Sequence, residues 1–394
     1  MQTIPLAVFD ETLRDGEQQA GIFFPYEEKL ELAHLIANTG VNYIDIMPAV
    51  DQSEERLVKT LVSLGLDTVV TPATMMNKCF IDHSLACGVK RVILFCAVSD
   101  RLLFLRDAEV RRDPLFHGKT VDDNISEAVI HKIRQNMLNN ALENLRYATS
   151  KEVGLEVDFA AEDASRTDFD FLVECIRQFR PYLGHFMLCD TVGVLTPERT
   201  STWIDQLLQS TDGAPLAVHF HNDLGLALEN TLQAILAGAT MVSGTFGGIG
   251  ERAGNAALEQ VLNGLRVRFG LEVEGINYDA FLKVTNYLAQ LGAVAMPPYS
   301  KQAQQHESGI HVNSLLQDTK SYHQFDYTHP EIGFGKYSGA SNFQYLFERH
   351  LQYSLPKKQY YKIRDIVKAY SIREQRCFTA EEIISMFDRG MLDV

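Results

Sequence analysis

The chain has 394 residues, 36 of them Lys or Arg and 51 Asp or Glu, for a formal charge of −15, and 46% are hydrophobic. That composition excludes a disordered chain and, with no Lys/Arg-dense run, argues against nucleic acid as a partner. The length suits one α/β barrel of about 250 residues with an appendage, or two to three smaller domains.

Residues Met1 to Leu6 lack a basic stretch followed by an apolar one. No apolar run approaches the roughly 20 residues that span a bilayer, so neither a leader nor a membrane partner is expected. The six cysteines, Cys79, Cys87, Cys96, Cys175, Cys189 and Cys377, include no C-x-x-C pair, and several lie in apolar runs. Reduced, mostly buried thiols and a cytoplasmic location are the expectation.

In chain order, short β-branched or aromatic runs predict strands at Leu6–Asp10, Val41–Ile46, Thr68–Thr71, Arg91–Val98, Leu155–Ala160, His185–Asp190, Leu216–His221 and Thr240–Thr245. Amphipathic stretches such as Glu27–Asn38, Ile125–Thr149, Phe169–Phe179, Glu198–Leu208 and Leu226–Ala237 separate them. Eight βα units predict an α/β fold, a (β/α)8 TIM barrel over residues 1–270. A doubly wound open sheet is the rival, but it usually announces a glycine-rich phosphate loop after its first strand, and here that strand runs into the charged Glu11–Glu17. Residues 271–394 read as a mainly helical C-terminal region. It starts with a helix over Tyr278–Leu291, passes through a polar, His-rich stretch to about Lys336, and ends in two or three helices. The last begins at Thr379, where Thr379 and Glu382 match a capping box.

Barrel enzymes carry their chemistry at the C-terminal ends of the strands. Five of the eight predicted ends carry convergent polar groups: Arg14-Asp15, Glu162-Asp163, Asp190-Thr191, His219 to Asp223, and the loop Gly247 to Asn255. His219 and His221, two apart on a strand, leave the same face. Two imidazoles plus the carboxylate of Asp15 from a neighbouring strand suit a divalent ion such as Mn, Zn, Fe or Mg. The plainer alternative is two histidines hydrogen-bonded to each other. The spacing Gly248-x-Gly250-x-x-x-Gly254 is a weak dinucleotide signal after the last strand rather than the first. It reads better as a tight loop with Glu251, Arg252 and Asn255 directed inward or pairing with one another. Asp163 and Arg166 read as an ion pair or helix cap.

Four ordered segments, Phe9–Gln18, His219–Gly225, Gly248–Asn255 and His306–His311, resemble the 2-isopropylmalate synthase and homocitrate synthase family of metal-dependent barrel acyltransferases. The resemblance implies a Claisen condensation of acetyl-CoA with a 2-oxo acid, then thioester hydrolysis to CoA and a 2-substituted malate. It implies that Asp15, His219 and His221 bind Mn, Zn or Mg, with Asn255 a further ligand, direct or through water. The 2-oxo acid would chelate that ion, Arg14 would stabilise the oxyanion developing on the ketone, and Thr191 would hold the substrate carboxylate. Glu162 would be the catalytic carboxylate of the fifth strand. His311 and Tyr322 would remove the acetyl-methyl proton and activate water, with Tyr327 competing for the tyrosine role. The C-terminal region would complete the active site and form a homodimer.

Departures from the family pattern bear on the substrate. Ala160 stands where a Ser is usual and Asp158 where homocitrate synthases of one type carry Arg. Asp45-Ile-Met-Pro48 shortens a familiar loop, and Ser99-Asp-Arg-Leu102 lacks its usual His. An apolar 2-oxo acid is therefore expected, branched or aromatic, the aromatic case resembling benzylmalate synthase. The alternatives are homocitrate synthase acting on 2-oxoglutarate, favoured by His306–His311 and Asp163–Arg166, a retro-Claisen lyase, and a non-catalytic metabolite-binding barrel. Leucine-responsive relatives carry a further domain on the order of 100 residues, and feedback through such a domain is expected to be absent.

Overall fold

The computed structural model describes residues 1–150, 152–323 and 331–392. Its barrel strands are β2 (Ala7–Asp10), β3 (Tyr43–Ile44), β4 (Val69–Val70), β5 (Ala73–Met75), β6 (Arg91–Ala97), β7 (Glu156–Glu162), β8 (Phe186–Asp190), β9 (Leu216–Phe220) and β10 (Met241–Gly244). Before them β1 (Gln2–Ile4) pairs in parallel with β11 (Leu271–Val273), and late in the chain β12 (Gln305–His306) pairs with β13 (Glu331–Ile332).

The nine barrel strands form one parallel sheet in the order β4-β3-β2-β10-β9-β8-β7-β6-β5. Its two ends, β4 and β5, are halves of a single extended run broken only at Thr71-Pro72, so the chain itself joins the sheet's edges into a barrel. Proline has no N–H to give a ladder. At the break the Pro72 carbonyl accepts from Ile93 N at 3.1 Å, and Ala73 N turns to the Asp45 carboxylate at 2.6 Å. The sequence pattern finds β4 and misses β5 for this reason. The other seven expected strands are present in order, Val41–Ile46 shrinking to β3 and Leu155–Ala160 extending to Glu162.

Strands buried on both faces read as near-continuous apolar runs, and every residue of β8 and β9 is buried. Alternate side chains point into the barrel, where Phe9, Ala73, Ile93, Met187, Ala217 and Met241 form an inner core. The opposite set packs under the helices. Phe159 there meets Phe179 and Phe186 with ring centroids 5.0 and 5.2 Å apart, each ring contributing about 1.5–3 kcal/mol through burial. The enclosing helices are capped as their sequences dictate. Asp51 accepts from Ser53 N and Glu54 N at the start of Gln52–Leu64, which ends on Gly65 at φ 61.

The barrel's core extends beyond the helix Phe281–Gln290 to Ala293 and includes Leu315 and Tyr322. A second core, running from Phe334 to Leu392, is built on the helices Lys357–Glu374 and Ala380–Asp388. Thr379 and Glu382 form the expected capping box. A buried quartet fastens this region to the barrel: Lys29 and Lys336 each bridge Glu17 and Glu54, all four contacts at 2.7–2.8 Å. Among the described residues no helix is long and apolar enough to cross a membrane.

Candidate active site

The turn after β2 carries the first site residues, and Asp10 shapes it. Its carboxylate accepts from Thr12 N and Thr12 Oγ1, at 3.1 and 2.7 Å, and Thr12 Oγ1 accepts in turn from Phe246 N at 2.8 Å. Burial pushes the Asp10 carboxyl up to about 7. Arg14 then sits among three carboxylates: Glu11 in direct contact, Asp15 at 2.9 Å and Asp45 at 2.8 Å. Asp15 also accepts from Asn255 Nδ2 at 2.6 Å. Gly250, at φ 147, passes so close that a Cβ there would fall on Asn255 Nδ2 and Asp15 Oδ1.

Asp15, His219 and His221 each offer a ligand atom within 4.8 Å of the others, and all three are buried. His219 Nε2 and His221 Nε2 lie 3.2 Å apart. Two nitrogens each about 2.1 Å from one ion and roughly 100° apart would show about that separation. Burial lowers His219 to about 4 and His221 well below its ordinary value, so both imidazoles are neutral, as ligands must be. Burial alone would raise Asp15, but its neighbours, the Arg14 guanidinium first among them, hold the carboxyl far below its usual range. The buried Asn255 Oδ1 has no hydrogen-bond partner among the described residues. The donor set therefore fits a divalent ion, with Asn255 placed beside Asp15 as an outer or fourth group. A second trio, Glu55, His83 and Cys87, fits one poorly. Lys59 already pairs with Glu55, and burial raises the Cys87 thiol.

Facing the trio is a second set of polar groups. Tyr322 Oη donates to Glu162, and Arg106 reaches both, with Nη1 2.5 Å from Glu162 Oε2 and Nη2 2.5 Å from Tyr322 Oη. Burial would raise Glu162, yet the Arg106 guanidinium outweighs it and leaves the carboxyl below its ordinary value. Burial holds the Tyr322 phenol well above its own. His311, on the helix Gly309–Leu315, places Nδ1 2.6 Å from Glu251 Oε2. Thr191 Oγ1 accepts from Asp163 N at 2.8 Å, which leaves its hydroxyl proton to donate.

The structure thus gathers all nine predicted residues, Arg14, Asp15, Glu162, Thr191, His219, His221, Asn255, His311 and Tyr322, at one end of the barrel. Tyr327 lies outside the described residues. Of the inward candidates in the last loop, Glu251 meets His311 and Asn255 meets Asp15. Arg252 turns away to Asp223 at 2.7 Å and to the Thr191 carbonyl. Arg166 pairs with Asp163 at 2.6 Å, as expected, and also donates to the carbonyls of Lys320 and Ser321 next to Tyr322. His306 faces His323, Nε2 to Nε2 at 3.1 Å. Sequence reasoning missed Arg106 and Glu11. Tertiary closure brings Arg106 to Glu162, and Glu11, already inside the Phe9–Gln18 segment, meets His219 only when the strands pair.

Arg14, Asp15, Glu162, Thr191, His219, His221 and His311 line a cavity of about 130 Å³, with Asn255 and Tyr322 behind them, and its inner wall is apolar, formed by Met47, Ala73, Ile93, Phe95, Ala160 and Met187. Arg14 is the one Lys or Arg among the described lining residues. Deeper in the barrel, Asp158 is held by Arg91 through two contacts at 2.7 and 2.8 Å.

Comparison with known proteins places the chain in a family. The chain is 32% identical over 391 residues to homocitrate synthase 1 of Nostoc sp., covering 96% of this chain and 95% of that one. It is 32% identical over 351 residues to 2-isopropylmalate synthase 2 of Caldanaerobacter subterraneus, covering 86% and 83%. The hydroxymethylglutaryl-CoA lyase of Pseudomonas aeruginosa shares the fold at a TM-score of 0.57 and 19% identity, covering 77% of this chain and 97% of that one. With the HMGL-like family model matching residues 5–288, the chain belongs to the HMGL-like family.

Proposed function

We propose that this protein condenses acetyl-CoA with a 2-oxo acid and then hydrolyses the thioester, releasing CoA and a 2-substituted malate. The observation that carries the reading is that Asp15, His219 and His221 share one small cavity with Glu162 and His311, Tyr322 standing behind Glu162. A divalent ion held by Asp15, His219 and His221 would polarise the ketone and orient the acid. His311, oriented by Glu251 as a base is oriented by its carboxylate, takes a proton from the acetyl methyl. The new carbon–carbon bond forms, and the ketone oxygen develops negative charge beside Arg14. Tyr322, kept protonated by burial, supplies a proton toward that oxygen through the Glu162 contact. Water, activated by the same group of residues, then adds to the thioester, and the carbon–sulfur bond breaks to free the thiol. Thr191 donates to the acid's carboxylate.

The substrate we infer has an apolar side chain, branched or aromatic. Its tail would meet Ile93, Phe95, Ala160 and Met187, and a distal carboxylate would find no lining cation except Arg14, already shared by three carboxylates. The identity to homocitrate synthase 1 of Nostoc sp. favours 2-oxoglutarate as the second reading. The protein is also proposed to be cytoplasmic, in keeping with six free cysteines, and a homodimer, for which exposed Tyr353, Tyr361 and Ile372 on the C-terminal region offer contact area.

Thiol release from acetyl-CoA, with Mn or Zn present, is to be measured with 3-methyl-2-oxobutanoate, phenylpyruvate, 2-oxoglutarate, pyruvate and oxaloacetate. Release with one of the first two supports the reading. No release with any acid rejects the synthase, and preference for 2-oxoglutarate rejects the apolar pocket. Asp15→Ala is expected to abolish turnover, and retained activity would remove Asp15 from the metal site.

A further inference from the structure

Glu11 is 2% exposed at the start of the turn after β2. Its Oε1 lies 3.1 Å from His219 Nδ1 and accepts a hydrogen bond from Ser243 Oγ. Ser243 Oγ is itself 3.1 Å from the same His219 Nδ1. Because the only proton on the Ser243 hydroxyl is given to Glu11, both groups facing Nδ1 are acceptors. Nδ1 must therefore carry the hydrogen, and His219 Nε2 presents its lone pair toward His221 and Asp15. His221 is held differently: its Nδ1 has no hydrogen-bond partner among the described residues. The two imidazoles are thus unequal: a carboxylate backs Nδ1 of His219, and none among the described residues hydrogen-bonds Nδ1 of His221.

We propose that Glu11 is a positioning residue for the metal centre, fixing the tautomer and orientation of His219 and strengthening it as a donor. A carboxylate behind a ligating histidine does this in general, and its removal typically costs 10- to 100-fold in metal affinity. Glu11 also contacts Arg14, so the same carboxylate holds the guanidinium beside the cluster. The inference rests on the reading of Asp15, His219 and His221 as a metal site.

The test is titration of the metal-free protein with Mn²⁺ and with Zn²⁺, read by calorimetry. Glu11→Gln keeps the size of the side chain but offers an amide N–H that can face Nδ1 and favour the wrong tautomer. It is expected to weaken both ions 10- to 100-fold, whereas Ser243→Ala, which leaves the carboxylate in place, is expected to weaken them less than 10-fold. Nitrogen-15 spectra of the histidine-labelled, metal-free protein are expected to show the Nδ1–H form at His219 in the wild type and a mixture in Glu11→Gln. Wild-type affinity in Glu11→Gln would overturn the proposal. So would an unchanged His219 tautomer, which can also be read in Glu11→Asp if Glu11→Gln does not fold. Failure of the wild type to bind either ion would instead reject the metal site itself.

Discussion

The His311 imidazole lies face to face with the Tyr322 phenol, ring centroids 3.7 Å apart and planes inclined by 24°. The stack sets the two groups side by side, His311 lining the cavity and Tyr322 buried behind it, each in contact with a carboxylate, Glu251 for the imidazole and Glu162 for the phenol. Neither ring can swing without breaking a contact to the barrel. The imidazole and the phenol are therefore held together as one unit.

Tyr322→Phe keeps the stack and deletes the hydroxyl. If the phenol supplies a proton in the reaction, kcat should fall by about 10²- to 10⁴-fold, with KM for the 2-oxo acid little changed because the hydroxyl is not required to hold the acid. Steady-state thiol release measures both constants, and full activity in the variant would exclude the phenol.

Arg106 gives a prediction in pH. Burial pushes Glu162 up and Arg106 more than compensates, so Arg106→Met should raise the Glu162 pKa. If the ionised carboxylate is the active form, the acid limb of the kcat profile should move to higher pH, and Arg106→Lys should restore part of the shift. A profile that merely drops in height without moving would mean that Arg106 supports the fold alone.

Most of the barrel was legible because a parallel βα repeat writes itself into the chain as short, near-continuous apolar strands and amphipathic helices, and because strand ends concentrate chemistry. The grouping of His219 with His221 was legible from their spacing, which fixes a shared face. What was not legible depended on closure. Pro72 splits a strand whose second half pairs only when the sheet curls round to β6. Arg106 follows the strand β6 by nine residues, on the helix Asp100–Arg106, and meets Glu162 only across neighbouring barrel units. Adjacent Glu251 and Arg252 looked equivalent, but Arg252 adopts φ 60, and the turn sends one side chain to His311 and the other to Asp223.

The buried quartet of Lys29, Lys336, Glu17 and Glu54 is charge-balanced, and removing one member strands a partner in a low-dielectric site. Lys336→Met should lower stability by about 3–5 kcal/mol, read as a fall in urea midpoint. Lys29 and Lys336 overcome the effect of burial to hold Glu54 at about 2. Its contribution is thus complete above its ordinary value of about 4.5 and lost as pH falls from there toward 2. In Lys336→Met that acid-side loss should shrink; an unchanged acid limb would show that Lys336 does not set the Glu54 carboxyl.

Glu307 should act in the opposite direction. Burial raises its carboxyl to about 7, and its Oε2 has no hydrogen-bond partner among the described residues. Between about 4.5, where a free Glu titrates, and 7, the folded protein keeps a proton that the unfolded chain has released. Raising the pH through this window therefore costs stability, on the order of 3 kcal/mol for a shift of roughly 2.5 pK units. Glu307→Gln removes the titration while preserving shape. Urea unfolding should then find the variant gaining on the wild type as pH rises from 5 to 8, and parallel stability curves for the two proteins would contradict the raised carboxyl.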